Sequence, residues 1–365
     1  MKNRKTVAVI FGGCSPEYEV SLKSAYSIIS AIDREKYDVT LAGITKQGQW
    51  YRYTGPVEDI PADKWHGDAG RLRKAHISPS RGEGLTQTGN GRAEHLPVDV
   101  VFPVLHGGNG EDGTIQGLCE LAAIPFVGSG SAASALCMDK DRAHKLVSLA
   151  GLRVPKSVCF EYTPSDDEVA DAVSGLGLPV FVKPVRAGSS IGITKVENLS
   201  ELPGAVRYAL RYDDSVIIEE SIDGFETGCS VVGNSDLITG RVDEIELSRG
   251  FFDYEEKYTL KTSKIHMPAR IDGDTEKRLQ EAAKLIYRTL GCRGYARIDI
   301  FLTKEREIVF NEANTIPGFT SHSRFPNMMK GVGIEFRQLV DMLIELGLSQ
   351  FKAKNEKGFE PSGGI

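Results

Sequence analysis

None of the six cysteines forms a C-x-x-C pair, and no histidine stands at zinc-finger spacing from one. Cys14, Cys119, Cys137, Cys159, Cys229 and Cys292 therefore read as free thiols in a reducing compartment, the cytoplasm. No stretch approaches the roughly 18 apolar residues of a membrane span. The apolar run behind the basic start MKNRK is about seven residues long and lacks a small-x-small cleavage site, so it reads as a first strand and not as a signal peptide. Basic excess is missing too: 44 Lys plus Arg stand against 50 Asp plus Glu, a net charge of −6, which excludes a nucleic-acid backbone as the expected partner. Neither a P-loop G-x-x-x-x-G-K-[ST] nor a G-x-G-x-x-G after the first strand occurs, and no repeat of fixed period is present.

What is there is an ordinary globular composition, 41% hydrophobic and 26% charged. The 365 residues make two or three domains the expectation, at about 150 residues each. Many of the 39 glycines gather in short motifs, as in loops that approach a ligand closely. Thr6 to Phe11 is a β-branched apolar run ending at Gly12-Gly13, the signature of a buried parallel strand. A helical pattern over Val20 to Ile32 follows, then strands at Asp38 to Ile44 and Val98 to Leu105, which argues an open α/β sheet. Residues 47–97 are polar and Gly-rich and read as an insertion with little regular core. Composition shifts near residues 128–130 and 223–224 divide the rest: a helix over Ser131 to Gly151, strands at Ser157 to Phe160, Pro179 to Pro184 and Val216 to Glu220, then a final unit. That unit holds the best-marked helix, with Leu279, Ala283, Ile286 and Leu290 as its stripe, Asp274 or Thr275 as its cap and Gly291 as its stop. Residues 350–365 read as a loose tail.

Two constellations carry chemistry. Arg297 to Leu302 and Glu307 to Asn314 read as a hairpin. Because side chains alternate along a strand, Arg297 and Asp299 share one face, as do Glu312 and Asn314. Pairing the strands gathers two carboxylates and an amide oxygen, hard donors suited to Mg²⁺. In the second, a strand delivers Lys183 and a loop of small residues, Ala187 to Gly192, follows, able to turn backbone N–H groups toward an anion. Lys140 stands apart, near the helix at 131–151.

In order and spacing these pieces resemble the ATP-grasp fold. GGCSPEYEVS (12–21), HGGNGEDGTIQG (106–117) and NEANTIPGFTSHS (311–323) look like the signatures of D-alanine–D-alanine ligases, and the resemblance spans about residues 6–348. It implies an α/β architecture: an N-terminal Rossmann-like open parallel sheet (1–128), then central (129–223) and C-terminal (224–349) ATP-grasp subdomains, with a mobile lid at about 248–266. It implies a reaction in which the carboxylate of one D-amino acid takes the γ-phosphoryl of ATP and the amine of a second displaces phosphate. By motif match, Lys140, Lys183, Ser190 and Lys257 would contact ATP phosphates, Glu219 the adenine and Glu226 the ribose. Asp299, Glu312 and Asn314 would hold two Mg²⁺ ions, with Mn²⁺ as a substitute. Arg297 and the N–H of Gly318 would stabilise the oxyanion. Glu17 would hold the first ammonium, with His106 and Glu111 beside it. Ser189 and Tyr258 would latch the closing lid, and Ser323 would receive the second carboxylate.

Within the family, the Lys257-Tyr258 lid argues for an amino acid and against D-lactate as second substrate. Phe252 and Arg324 resemble the vancomycin-resistance D-alanine–D-serine ligases, in which Arg324 with Asp243 would meet a serine hydroxyl. A housekeeping D-alanine–D-alanine ligase and an inactive nucleotide-binding relative are the alternatives. Small D-amino acids are the expected partners, and the resemblance implies a homodimer.

Overall fold

The computed structural model describes residues 4–89, 92–247 and 263–356. The first unit contains β1 (Lys5–Gly12), α1 (Tyr18–Ala31), β2 (Tyr37–Ile44), β3 (Trp50–Tyr53), β4 (Leu72–Ile77), β5 (Leu85–Gly89), β6 (Arg92–Leu96), β7 (Val100–Val104) and α2 (Thr114–Ala122). The central part contains α3 (Ser131–Met138), α4 (Lys140–Leu149), β8 (Ser157–Phe160), α5 (Asp166–Ser174), β9 (Val180–Pro184), β10 (Thr194–Val196), α6 (Leu202–Ala209) and β11 (Val216–Glu220). The last contains β12 (Gly224–Val232), β13 (Ile238–Thr239), β14 (Asp243–Leu247), β15 (Ser263–His266), α7 (Gly273–Thr289), β16 (Tyr295–Thr303), β17 (Ile308–Asn314), α8 (Arg324–Lys330) and α9 (Phe336–Glu356).

In the first sheet β1 lies between β2 and β7, parallel to both. The continuous apolar run of β1 follows from burial on both faces: Val7, Val9 and Phe11 meet α1 and α9, while Ala8 and Ile10 face α2. Residues 47–97 are not an insertion without regular core. They supply four antiparallel strands that extend the sheet in the order β6-β5-β4-β3-β2-β1-β7. These strands are short, half of β4 and nearly all of β6 face solvent, and so their sequence carries little apolar signal. The loop between β3 and β4 carries Trp65 into the core, over Gly43, where a Cβ would stand 2.4 Å from the indole. The Trp65 N–H donates to the Tyr18 hydroxyl at 3.0 Å, and that hydroxyl donates to Asp63 at 2.7 Å. The strap thereby fixes the start of α1, beside Glu17.

A four-stranded antiparallel sheet (β10-β9-β11-β8) and a six-stranded one (β15-β14-β12-β16-β17, with β13 on β12) form the other layers. The helix expected over 131–151 breaks at Asp139, whose extended backbone and side chain cap α4 through the Arg142 N–H. That break makes Lys140 the first residue of α4. The cap of α7 is Asp272, two or three residues earlier than expected, because its carboxylate accepts from the Thr275 N–H at 2.9 Å. The chain's end does not stay with the last unit. Leu339, Val340, Leu343 and Ile344 of α9 pack into the core of the first sheet, and Tyr37 donates to Glu345 at 2.7 Å. Regular helix also continues through residues 350–356, where a loose tail was expected.

Replacing Trp65 with Ala should cost about 3–5 kcal/mol, the usual price of deleting a fully buried aromatic ring. Calorimetry checks it: the first unfolding transition should move down, and an unmoved transition would show that the strap adds nothing to the core.

Candidate active site

The hairpin of β16 and β17 pairs Arg297 with Asn314 and Asp299 with Glu312, and a bulge follows Asp299. Ile298 and Ile300 fill the core on one face, which leaves the charged residues to the other. Arg297 binds Asp299 through two near-parallel contacts, Nε to Oδ1 and Nη2 to Oδ2, each 2.8 Å. Asn314 Nδ2 donates to Asp299 Oδ2 at 2.9 Å. Burial opposes the Arg297 charge, but Asp299 and Glu312 outweigh it and hold the pKa above its ordinary value. Among the described residues no three His, Cys, Asp or Glu side chains gather into a protein-only metal cage. Two carboxylates and one amide form the sparse oxygen set that fits a divalent ion completing its shell with phosphate and water.

A cavity of about 680 Å³ opens between the two later sheets, and Lys140, Lys183, Ser190, Glu219, Glu226 and Glu312 line it. Its size suits a nucleotide. Lys183 on β9 donates to Glu219 Oε2 on β11 at 2.6 Å, and Lys140 Nζ donates to the Ala187 carbonyl at 2.7 Å. Burial works against a charged Glu219, yet Lys183 and the neighbouring cations keep its pKa below the usual value. Its Oε1 has no hydrogen-bond partner among the described residues. The same holds for Nδ1 of His144, 4.0 Å away. Sequence reasoning passed over His144; the only signal was its place on α4, one turn after Lys140.

A second corner gathers Glu17, Ser189, His106 and Glu111. Ser189 donates to Glu17 from a loop in which Ser189 and Ser190 both adopt left-handed backbone, φ 52° and 56°. Gly107, at φ 73°, is required there, because a Cβ would lie 2.5 Å from Glu17 Oε2. His106 Nδ1 lies 2.8 Å from the Ile316 carbonyl and so carries the proton; Nε2 accepts from the Ser24 hydroxyl at 3.1 Å. Both ring nitrogens are thus taken by the protein. His106 sits at the first-substrate corner beside Glu17, where the resemblance put it, wedged between α1 and the loop that carries Gly318, and burial holds its pKa below the ordinary value. Glu111 accepts from the N–H groups of Gly107 (2.8 Å) and Ile316 (3.2 Å). Burial, reinforced by Glu17, pushes its pKa up to about 8.

Between the corners lies Arg324. Asp243 binds it through Nε and Nη2, each at 2.8 Å, and Nη1 faces Glu226 at 3.3 Å and Asp299 at 3.5 Å. Asp243 is fully buried, with Oδ1 also accepting from the Gly228 N–H, so it orients Arg324 and does not face a substrate. Ser323 caps α8 next to Gly318, its Oγ accepting from the Thr320 N–H at 2.9 Å. Phe252, Lys257 and Tyr258 lie outside the described residues, as does most of the expected lid at 248–266.

An antiparallel pair of sheets clasping a nucleotide-sized cavity, with two lysines on one wall and carboxylates on the other, defines an ATP-grasp ligase. Residues 6–129 match the family model described as D-ala D-ala ligase N-terminus, and residues 146–345 match D-ala D-ala ligase C-terminus. The chain belongs to the D-alanine–D-alanine ligase family, and it is an ATP-dependent, ADP-forming ligase. It is 42% identical to vancomycin C-type resistance protein VanC2 of Enterococcus casseliflavus, over 95% of this chain and 100% of that one. It is 41% identical to a D-alanine–D-alanine ligase of Caldicellulosiruptor bescii, over 98% and 99%. The solved structure of VanG D-Ala:D-Ser ligase from Enterococcus faecalis superposes with a TM-score of 0.88 at 56% identity, over 94% of this chain and 100% of that one.

Glu111 gives a pH test. An acid whose folded pKa is raised to about 8 contributes stability that is complete below about 4.5 and is lost as pH climbs to about 8. Glu111→Gln removes that dependence. The unfolding free energy of the parent, relative to the variant, should fall between pH 5 and 8 by up to about 1.4 kcal/mol per unit. A difference that stays flat with pH would contradict the buried-acid reading.

Proposed function

We propose that this enzyme joins D-alanine to D-serine, the D-alanyl-D-serine product serving a peptidoglycan of the vancomycin-resistant type. The observation that carries this reading is Arg324, a buried guanidinium fixed by Asp243 whose remaining nitrogen, Nη1, lies between Glu226 and Asp299 at 3.3 and 3.5 Å. A donor there recognises a hydroxyl and penalises a substrate that lacks one. The similarity to VanG D-Ala:D-Ser ligase supports it. The depth to which Asp243 engages Arg324 favours a second reading, in which Arg324 is structural and the product is D-alanyl-D-alanine.

In this reading Glu17 holds the ammonium of the first D-alanine, placed by Ser189 and by the Gly107 loop. The carboxylate oxygen of that D-alanine attacks the γ-phosphorus of ATP, giving the acyl phosphate, and ADP departs. Lys140 and Lys183 neutralise the phosphates, with Lys257 and Ser190 completing the grip. Glu219 meets the base and Glu226 the ribose. Two Mg²⁺ ions, or Mn²⁺ in their place, held by Asp299, Glu312 and Asn314, would offset the charge of the transferring phosphoryl group. The amine of the second amino acid, its carboxylate held by Ser323, then attacks the acyl carbon. Arg297 and the Gly318 N–H stabilise the oxyanion, and inorganic phosphate leaves. Tyr258 latches the lid and Phe252 lines the second-substrate pocket; water kept out spares the acyl phosphate. The enzyme would work in the cytoplasm as a homodimer.

Steady-state ATP turnover with D-Ala alone, D-Ala plus D-Ser and D-Ala plus D-lactate tests the reading, with product identified by mass. D-Ser should be the preferred second substrate; D-lactate use without a D-Ser product would overturn it. Arg324→Leu should lower kcat/KM for D-Ser by roughly 10–100-fold and change D-Ala far less. Equal losses would favour the structural reading. Arg297→Ala should lower kcat by about 10²–10³ for either substrate.

A further inference from the structure

Gly228 lies on β12, the strand between β14 and β16, and the register sets it opposite Asp243 on one side and Asp299 on the other. Glu226, Gly228 and Ser230 share one face of that strand, because side chains alternate. The start of α8 is seated on this face. Ser230 donates to the Phe325 carbonyl at 3.2 Å, and Glu226 stands 3.3 Å from Arg324 Nη1. Between them the missing side chain of Gly228 leaves a gap, and the Arg324 guanidinium fills it. A Cβ at 228 would stand 2.5 Å from Nη2, 2.8 Å from Asp243 Oδ1 and 2.9 Å from Met328 Cε. The backbone at this position is not left-handed, so its conformation admits any residue and only space calls for glycine. The Gly228 N–H also donates to Asp243 Oδ1 at 2.9 Å, the same oxygen that accepts from Nη2 at 2.8 Å. One glycine thus supplies both the room for the guanidinium and a donor that orients its counter-ion.

We propose that Gly228 is a specificity-determining positioning residue for the second amino acid. It acts through Arg324, by setting where the guanidinium lies between the acids of β14 and β16. A single methyl group at 228 overlaps Nη2. Asp243 is fully buried and Asp299 is 1% exposed, so neither wall of the gap opens onto solvent. The arginine must then swing off Asp243 and away from Asp299, and the donor that would meet a serine hydroxyl goes with it. Glycine at 228 and arginine at 324 therefore work as one unit, and the arginine alone does not decide the second substrate. The inference rests on Arg324 meeting that substrate, as in the proposed function.

The test offers D-Ala and D-Ser in equal amounts with ATP and reads the ratio of D-alanyl-D-serine to D-alanyl-D-alanine by mass. Gly228→Ala should lower that ratio roughly tenfold or more, as Arg324→Leu should, and leave KM for ATP as in the parent. In the Arg324→Leu background the added methyl has no guanidinium to displace, so Gly228→Ala should change the ratio by less than about twofold. A parental ratio in Gly228→Ala overturns the proposal. So does an equal further fall in the Arg324→Leu background, or a rise in KM for ATP as large as the loss of D-Ser use. Should Gly228→Ala fail to fold, the double variant decides: a folded double variant supports the proposal, and an equally unfolded one overturns it. Arg324→Leu enzyme that keeps the parental ratio strikes at the proposed function, and the inference falls with it. A ratio that falls in Arg324→Leu but not in Gly228→Ala strikes the inference alone.

Discussion

The site depends on the pairing of Arg297 with Asp299. Asp299 is 1% exposed, and a carboxylate taken that far from water must be matched by a cation or lose its charge. Arg297 matches it in bidentate fashion, from the same face of the same strand. Arg324 approaches the other side of Asp299 at 3.5 Å and is itself matched by Asp243 and Glu226. Charges therefore alternate across the site: acid, base, acid, base, acid. Removing one member would leave its neighbours buried and unmatched, which is why such an array is rigid. Rigidity is what phosphoryl and acyl transfer require, since dipoles fixed beforehand need no reorganisation when charge develops.

The array is held in register with the first sheet by hydrogen bonds that cross between units. The Phe319 N–H donates to Ser24, Ser24 to His106, and His106 to the Ile316 carbonyl. Glu111 adds a bond from the Ile316 N–H. The loop bearing Gly318 is thereby fastened to α1 and to the end of β7, and Glu17 comes from the same α1 terminus. The packing of α9 on the first sheet acts in the same direction, because it returns the chain's end to its beginning. Two stretches that are distant in sequence are thus tied to each other by hydrogen bonds and packing.

Much of this was legible in the residues. Alternation along a strand was enough to put Arg297 with Asp299 and Glu312 with Asn314, and the register bears that pairing out. Long motifs supplied the family and its ATP-grasp fold. Other features had no local signature. The strands of residues 47–97 are short, β6 faces solvent, and Trp65 stands between the polar residues Lys64 and His66. Asp243 and Arg324 are 81 positions apart, so their lock on each other is a product of topology. The two ring nitrogens of His106 are engaged by Ser24 and by Ile316, 82 and 210 positions away, partners that only the folded chain reveals.

Two buried glutamates show how the same side chain is set to opposite tasks. Both are deeply buried, and burial alone raises a carboxyl pKa. Glu219 has an ammonium at 2.6 Å and stays below the ordinary value, charged. Glu111 has no ion pair among the described residues; two backbone N–H groups and the more distant Arg297 do not offset burial and the charge of Glu17, and it rises to about 8. The first presents an anion to the nucleotide cavity. The second can keep a proton at neutral pH beside Glu17, which lowers the repulsion that two adjacent carboxylates would otherwise impose. The difference comes from the cations around Glu219, Lys183 first among them, so the strand that carries this lysine contributes to the charge of the nucleotide wall as well as to its grip on phosphate.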